Sequence, residues 1–300
     1  MLITNKIDLQ RLLQGLIALS NASNMGWFHG HFGAAVIASE FFISENELND
    51  EISTLVRKHA QKIIISQPKL FRELTDKSID NQWKEKIIAA LNKNLARLRT
   101  SGHGVIFGTL ALKALEATQE LTTKSIIEGI VKLLDLTAQD GLDRYYGINN
   151  YDLVKVEPED KIIPYENELD LIRTSFLELN IIYPDQAING KTYFFTGCKL
   201  HAITHAHALC TLNELGYNEL AKKGYENHRI QIKLNRHTPP KSEKLKVDKL
   251  FYPLEKNYWE RDIEEAHYFK FPYSVLNLLK KLPEKEGNEY KQKAALIWSS

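Results

Sequence analysis

Leu9, Leu12, Leu13, Leu16 and Leu19 recur at three- and four-residue intervals and place one apolar stripe on a first helix. The same period runs through about 31–43, 47–66, 82–98, 104–117 and 124–137, which predicts helix after helix. Gly26, Gly30 and Gly33 fall before or at the opening of the second of these segments, and Ser101-Gly102 precede the fifth. Between about 140 and 165 the period is lost while Gly, Asn, Asp and Pro accumulate, so a long connection is expected there. Helical pattern resumes at about 166–180, pauses at Tyr183-Pro184-Asp185 and Asn189-Gly190, returns across 199–224, and closes at about 261–281, where Pro272 predicts a kink or a fresh start. A second irregular zone covers about 229–258. Within it Arg229 to Lys233 alternates as a strand or an extended arm would, and Lys241, Lys244, Lys246 and Lys249 mix with Ser242, Glu243 and Asp248 as in a solvated loop. The whole pattern predicts an all-α protein: one large helical domain over 1–300, a bundle or an α/α-toroid-like ring, with two long irregular excursions.

Charge and composition then narrow the partners. Thirty-nine basic against thirty-eight acidic side chains give a net charge of +1, which leaves no global field to attract nucleic acid or an anionic lipid surface. No run reaches the roughly 18 apolar residues that a membrane span requires. Asp8 and Arg11 interrupt what would have to be the apolar region of a signal peptide, so a cytoplasmic protein is expected. Cys198 and Cys210 form neither a disulfide framework nor a CxxC metal pair, which fits a reducing compartment.

The informative feature is the placing of the histidines. His31, His103 and His201 each head a run of small and branched apolar residues. Small residues let helices approach closely. A histidine at such a position meets both burial and the positive end of the helix dipole, which disfavour the imidazolium and leave the neutral, metal-binding form. If the three heads converge they supply the minimum set for a catalytic metal with open positions. His267 and Lys270 lie three residues apart on one face and extend the candidate set. His205 competes with His201 at i, i+4, and His29 competes with His31. Glu264 and Glu265 precede His267 and are candidate partners that would orient its ring. His59, His228 and His237 read as loop or surface residues. Dinucleotide, P-loop, nucleophile-elbow and HExxH signatures are all absent. Ser101 reads as a helix cap and Cys198 as a small buried residue.

At these same residues the chain resembles the questin oxidase-like family of helical oxygenases, which open the rings of anthraquinones and related polyketides. The stretches Asn24 to Ala35, Gly102 to Ile106, Leu200 to Leu209 and Ala266 to Lys270 are similar to that family's histidine segments and occur in the same order. The resemblance implies a non-haem Fe2+ centre held by His31, His103, His201 and His267, with Lys270 carboxylated to give an anionic oxygen ligand. It favours His201 over His205. It also implies a small aromatic substrate, dioxygen and NADPH as electron donor, although nothing in the sequence looks like a nicotinamide site.

Two rivals stand beside this reading. Ser101-Gly102-His103-Gly104 with Cys198 faintly resembles the zinc motif of lanthionine cyclases, which implies a zinc-dependent α/α-toroid enzyme with cysteine ligation. The other rival is a non-catalytic helical scaffold that binds a ligand or partner and holds its histidines in a satisfied core.

Overall fold

Helices that are apolar on every face have to be buried on every face, and α2 (Gly30–Glu45), α5 (His103–Thr118) and α8 (Phe195–Glu214) are of this kind. With α11 (His267–Leu279) they form a closed inner ring, in which α2 packs on α5, α5 on α8, α8 on α11, and α11 back on α2. The structure, a computed structural model, describes residues 7–118, 122–239, 243–263 and 265–300.

Amphipathic helices surround that ring. α1 (Leu9–Ala22) lies against α2, α5 and α6 (Lys124–Thr137), while α4 (Trp83–Ala96) bridges α5, α6 and α9 (Asn218–Leu234). α3 (Asp50–Ser66) and α10 (Lys256–Trp259) pair beside α2, α7 (Glu168–Leu177) covers α8, and α12 (Glu284–Ser299) covers α11. Backbones touch where α1 crosses α2: a Cβ on Gly33 would stand 2.7 Å from the Gly15 carbonyl oxygen and the Leu19 nitrogen. Among the described residues the one sheet is a hairpin of β1 (Gln186–Ile188) and β2 (Lys191–Tyr193), turning at Asn189-Gly190, where both φ angles are positive. The architecture is all-α, and no helix of the described residues is long and apolar enough to cross a membrane.

Several expectations about elements need correction. The segment read as one helix over 199–224 breaks at Gly216, φ +87°, into α8 and α9. Arg229 to Lys233, read as a strand or arm, is the last part of α9, so the second irregular zone opens after Leu234. The alternation misled because Gln231, which a polar-out pattern sends to solvent, is fully buried together with Ala221, Tyr225, His228 and Ile232 at helical spacing. The final region contracts to α11, with Pro272 inside the helix, and α12 follows it without having been expected. The 140–165 connection is irregular as expected, with short 3-10 turns at Tyr151–Leu153 and Pro158–Asp160. In the first helix Leu12, Leu16 and Leu19 are buried, but Leu9 is exposed.

Candidate metal centre

Each inner helix brings one imidazole to the same place. His31 is the second residue of α2, His103 opens α5, His201 lies two turns into α8, and His267 opens α11. One potential ligand nitrogen from each falls within 4.8 Å of all the others. Around the ring, adjacent imidazole centroids are 4.6 Å (His31 to His103), 4.2 Å (His103 to His201), 5.0 Å (His201 to His267) and 4.9 Å (His267 to His31) apart.

Proton positions follow from what the other ring nitrogens touch. His31 Nδ1 lies 2.7 Å from the Phe28 carbonyl oxygen, His103 Nδ1 meets the Thr100 carbonyl oxygen, and His267 Nδ1 meets the Glu265 carboxylate. These oxygens only accept, so each Nδ1 carries the ring's single proton and each Nε2 is left with a lone pair. His31 Nε2 and His103 Nε2 nevertheless face each other at 2.9 Å, and His267 Nε2 faces His201 Nε2 at 3.1 Å. Two lone pairs at the first separation repel unless a cation stands between them.

Protonation does not supply that cation. Burial holds the pKa of all four imidazoles below the usual histidine value, and the Lys270 ammonium adds to the depression at each. The neutral form that results is the one that ligates metals. The donor set therefore fits a metal ion. Two nitrogens about 2.1 Å from a shared ion and at right angles to each other lie about 3.0 Å apart, whereas tetrahedral angles open the pair to about 3.4 Å.

The turn ahead of His103 is strained in the service of this arrangement. Thr100, Ser101 and Gly102 have consecutive positive φ angles of 46°, 54° and 85°, a region costly for residues other than glycine. Neighbours hold the turn from several sides: Asp140 Oδ2 accepts from the Thr100 N–H at 2.9 Å, and Gln231 Nε2 donates to the Ser101 carbonyl oxygen at 3.0 Å. Ser101 is thus not a simple cap, since its hydroxyl lies 3.1 Å from the Tyr145 hydroxyl. His205 is not among the four converging histidines. Its Nδ1 lies 2.8 Å from Gln231 Oε1, its ring packs on Gly102, and burial pushes its pKa down to about 4.

His29 stays outside the group, with its ring beside Phe32. Lys270 is buried, and its Nζ lies 5.6 Å over the ring of Phe107, which also meets His31 and His103 edge-on. Although His267 and Lys270 share a helix face, His267 lines the large cavity described below, while Lys270 lines a small one with Thr109, His207 and Ser274. Glu265 touches His267, and Glu264 lies outside the described residues. Cys198 is not in the converging group, and burial pushes its thiol up to about 12. His59 and His228, expected at the surface, are buried: His59 bonds the Trp259 carbonyl oxygen at 2.7 Å, and His228 bonds that of Ala202 at 3.0 Å. His237 is exposed as expected.

A cavity of about 740 Å³ opens beside the histidines and is walled by Trp27, Phe28, Phe194, Tyr268, Phe271 and Trp298. Arg144 also lines it, bonded to Asp140 through Nε at 2.7 Å and Nη2 at 3.0 Å. Sequence reasoning passed over Asp140, Arg144, Tyr145 and Gln231. For Arg144 and Tyr145 a signal was present, an Arg-Tyr-Tyr run inside an otherwise polar, turn-rich connection. Compared with protein-family models, curated proteins and solved structures, the chain matches none.

Proposed function

We propose that the protein is a non-haem iron oxygenase that uses dioxygen on a small aromatic or polycyclic substrate, in the manner the resemblance to questin oxidase-like proteins implies. The observation that carries this reading is the pair of Nε2 to Nε2 separations, 2.9 and 3.1 Å, between nitrogens whose partner Nδ1 atoms hold the protons in three of the four rings. Both separations are short enough for the two nitrogens of each pair to reach one ion, and the choice of iron rests on the resemblance. His31, His103, His201 and His267 would hold the metal, which would supply a coordination site for dioxygen and a route for its electrons. Phe28 and Thr100 fix two of the imidazole tautomers through their carbonyl oxygens, and Glu265 fixes a third while adding negative charge behind the ring.

Lys270 is a fifth candidate ligand. Burial pushes its amine down to about 7, which makes the neutral form available to add carbon dioxide and release a proton, giving a carbamate. The aromatic cavity would exclude water around an apolar substrate. The zinc alternative needs Cys198 at the ion, and the thiol stands apart from the converging nitrogens.

Elemental analysis of protein prepared anaerobically with iron tests the proposal. About one iron per chain is expected, lost in His103→Ala and retained in both His29→Ala and Cys198→Ala. A chain with no stoichiometric metal, or metal that disappears with Cys198→Ala, would overturn it.

A further inference from the structure

The wall of the large cavity is not electrically even. Two side-chain carboxylates line it, each fixed by neutral donors: Asp185 Oδ1 accepts from the Thr196 N–H at 2.7 Å at the start of α8, and Glu265 accepts from His267 Nδ1. Arg144 differs. Of the five guanidinium N–H groups, two go to Asp140, and one reaches Ser101 Oγ at 3.3 Å. The other two have no protein acceptor among the described residues. The guanidinium lies 5.8 Å over the Trp27 ring, and Asp140, which holds it in place, is itself fixed by the Tyr151 hydroxyl at 2.8 Å and the Thr100 N–H. A planar cation is therefore held rigidly against an aromatic wall with two donors to spare. Rigid, partly used guanidinium groups suit planar oxyanions.

We infer that the cavity takes a flat aromatic molecule bearing one acidic oxygen group, a carboxylate or an ionised phenol, with the anion on Arg144 and the ring system lying toward the four histidines. The lining fits an aromatic guest as well: Phe28 and Phe194 are 59% and 58% exposed, an apolar rim that the described residues leave open. The volume of about 740 Å³ lies in the range that small ligands fill.

The inference rests on the proposed function only in taking this cavity as the substrate site, and it can be tested without turnover. Calorimetric titration of the full chain, both metal-free and zinc-loaded, would compare 2-naphthoate with 2-naphthamide. A second pair, 2,4-dinitro-1-naphthol against its methyl ether, distinguishes an acidic phenol from a carboxylate. At least one acid should bind tenfold or more tightly than its neutral partner, and the better acid names the group. Arg144→Gln should erase that preference and leave the neutral compounds within about twofold, while Arg144→Lys should keep part of it.

Equal binding of acid and neutral partner by the unaltered protein would overturn the inference. So would an acid preference that survives Arg144→Gln but vanishes when metal is removed, since the anion would then sit on the ion. If Arg144→Gln does not fold, Arg144→Lys decides: an undiminished acid preference there overturns the assignment, and a several-fold loss supports it. Intact acid preference in a protein that holds no stoichiometric metal would defeat the oxygenase proposal and leave the cavity assignment standing.

Discussion

Gly102 is seated directly against the imidazole of His205: a Cβ at Gly102 would lie 2.8 Å from the ring's Cγ and Nδ1, and its φ of +85° belongs to the left-handed region. The two residues lock the strained turn whose Thr100 carbonyl oxygen orients His103. Gly102→Ala therefore meets a steric and a conformational penalty together. An expected loss of about 1–3 kcal/mol in urea unfolding follows from the strained backbone alone. Metal affinity should fall with it, because His103 shifts. A variant with unchanged affinity would show that the turn does not position the ligand.

Glu265 is exposed, yet it touches the one nitrogen of His267 that does not face the other histidines. Glu265→Gln should weaken metal binding by about 10–100-fold, the usual consequence of removing a carboxylate behind a ligating imidazole. Competition with a chelator of known affinity would measure it. Stability of the metal-free protein should change little, since the side chain is solvent-facing.

Acid should destabilise the metal-free protein through histidines that are not ligands. Burial holds His205 at about 4 and His228 at about 3 in the folded state, against about 6.5 in the unfolded chain. As pH falls below about 6.5, the unfolded state takes up protons that the folded state refuses, so stability drops by about 1.4 kcal/mol per pH unit for each such group until its folded pKa is reached. Above pH 7 both states are neutral at these sites and the dependence disappears. Urea midpoints between pH 4 and pH 8 would trace this, and His228→Gln should flatten the slope.

Lys270 carries a buried amine, pushed down to about 7 by burial, with no hydrogen-bond or ion-pair partner among the described residues. In metal-free protein kept without carbon dioxide at about pH 7, Lys270→Met should raise stability by about 1–3 kcal/mol, because folding then no longer has to desolvate or deprotonate an amine that is charged in the unfolded chain. In protein given ¹³C-bicarbonate and iron's diamagnetic substitute zinc, a carbamate carbon signal is expected for the native chain and not for Lys270→Met. Absence of that signal from the native chain would remove Lys270 from the ligand set.

The helical periods and the histidine-headed apolar segments were legible along the chain because both are local properties. A 3.6-residue repeat and an all-apolar surface state which segments are helices and which of them lie inside, and α2, α5 and α8 follow that rule. What local pattern left open was the choice between near neighbours, His29 or His31 and His201 or His205. One helix turn offers two candidates, and only the rotation of each helix within the ring decides which ring nitrogen reaches the common point. The same limit hid the supporting residues. Gln231 reaches Ser101 and Asp140 reaches Thr100 across long stretches of chain, and no period in the sequence records contacts made between elements that meet only once the chain has folded.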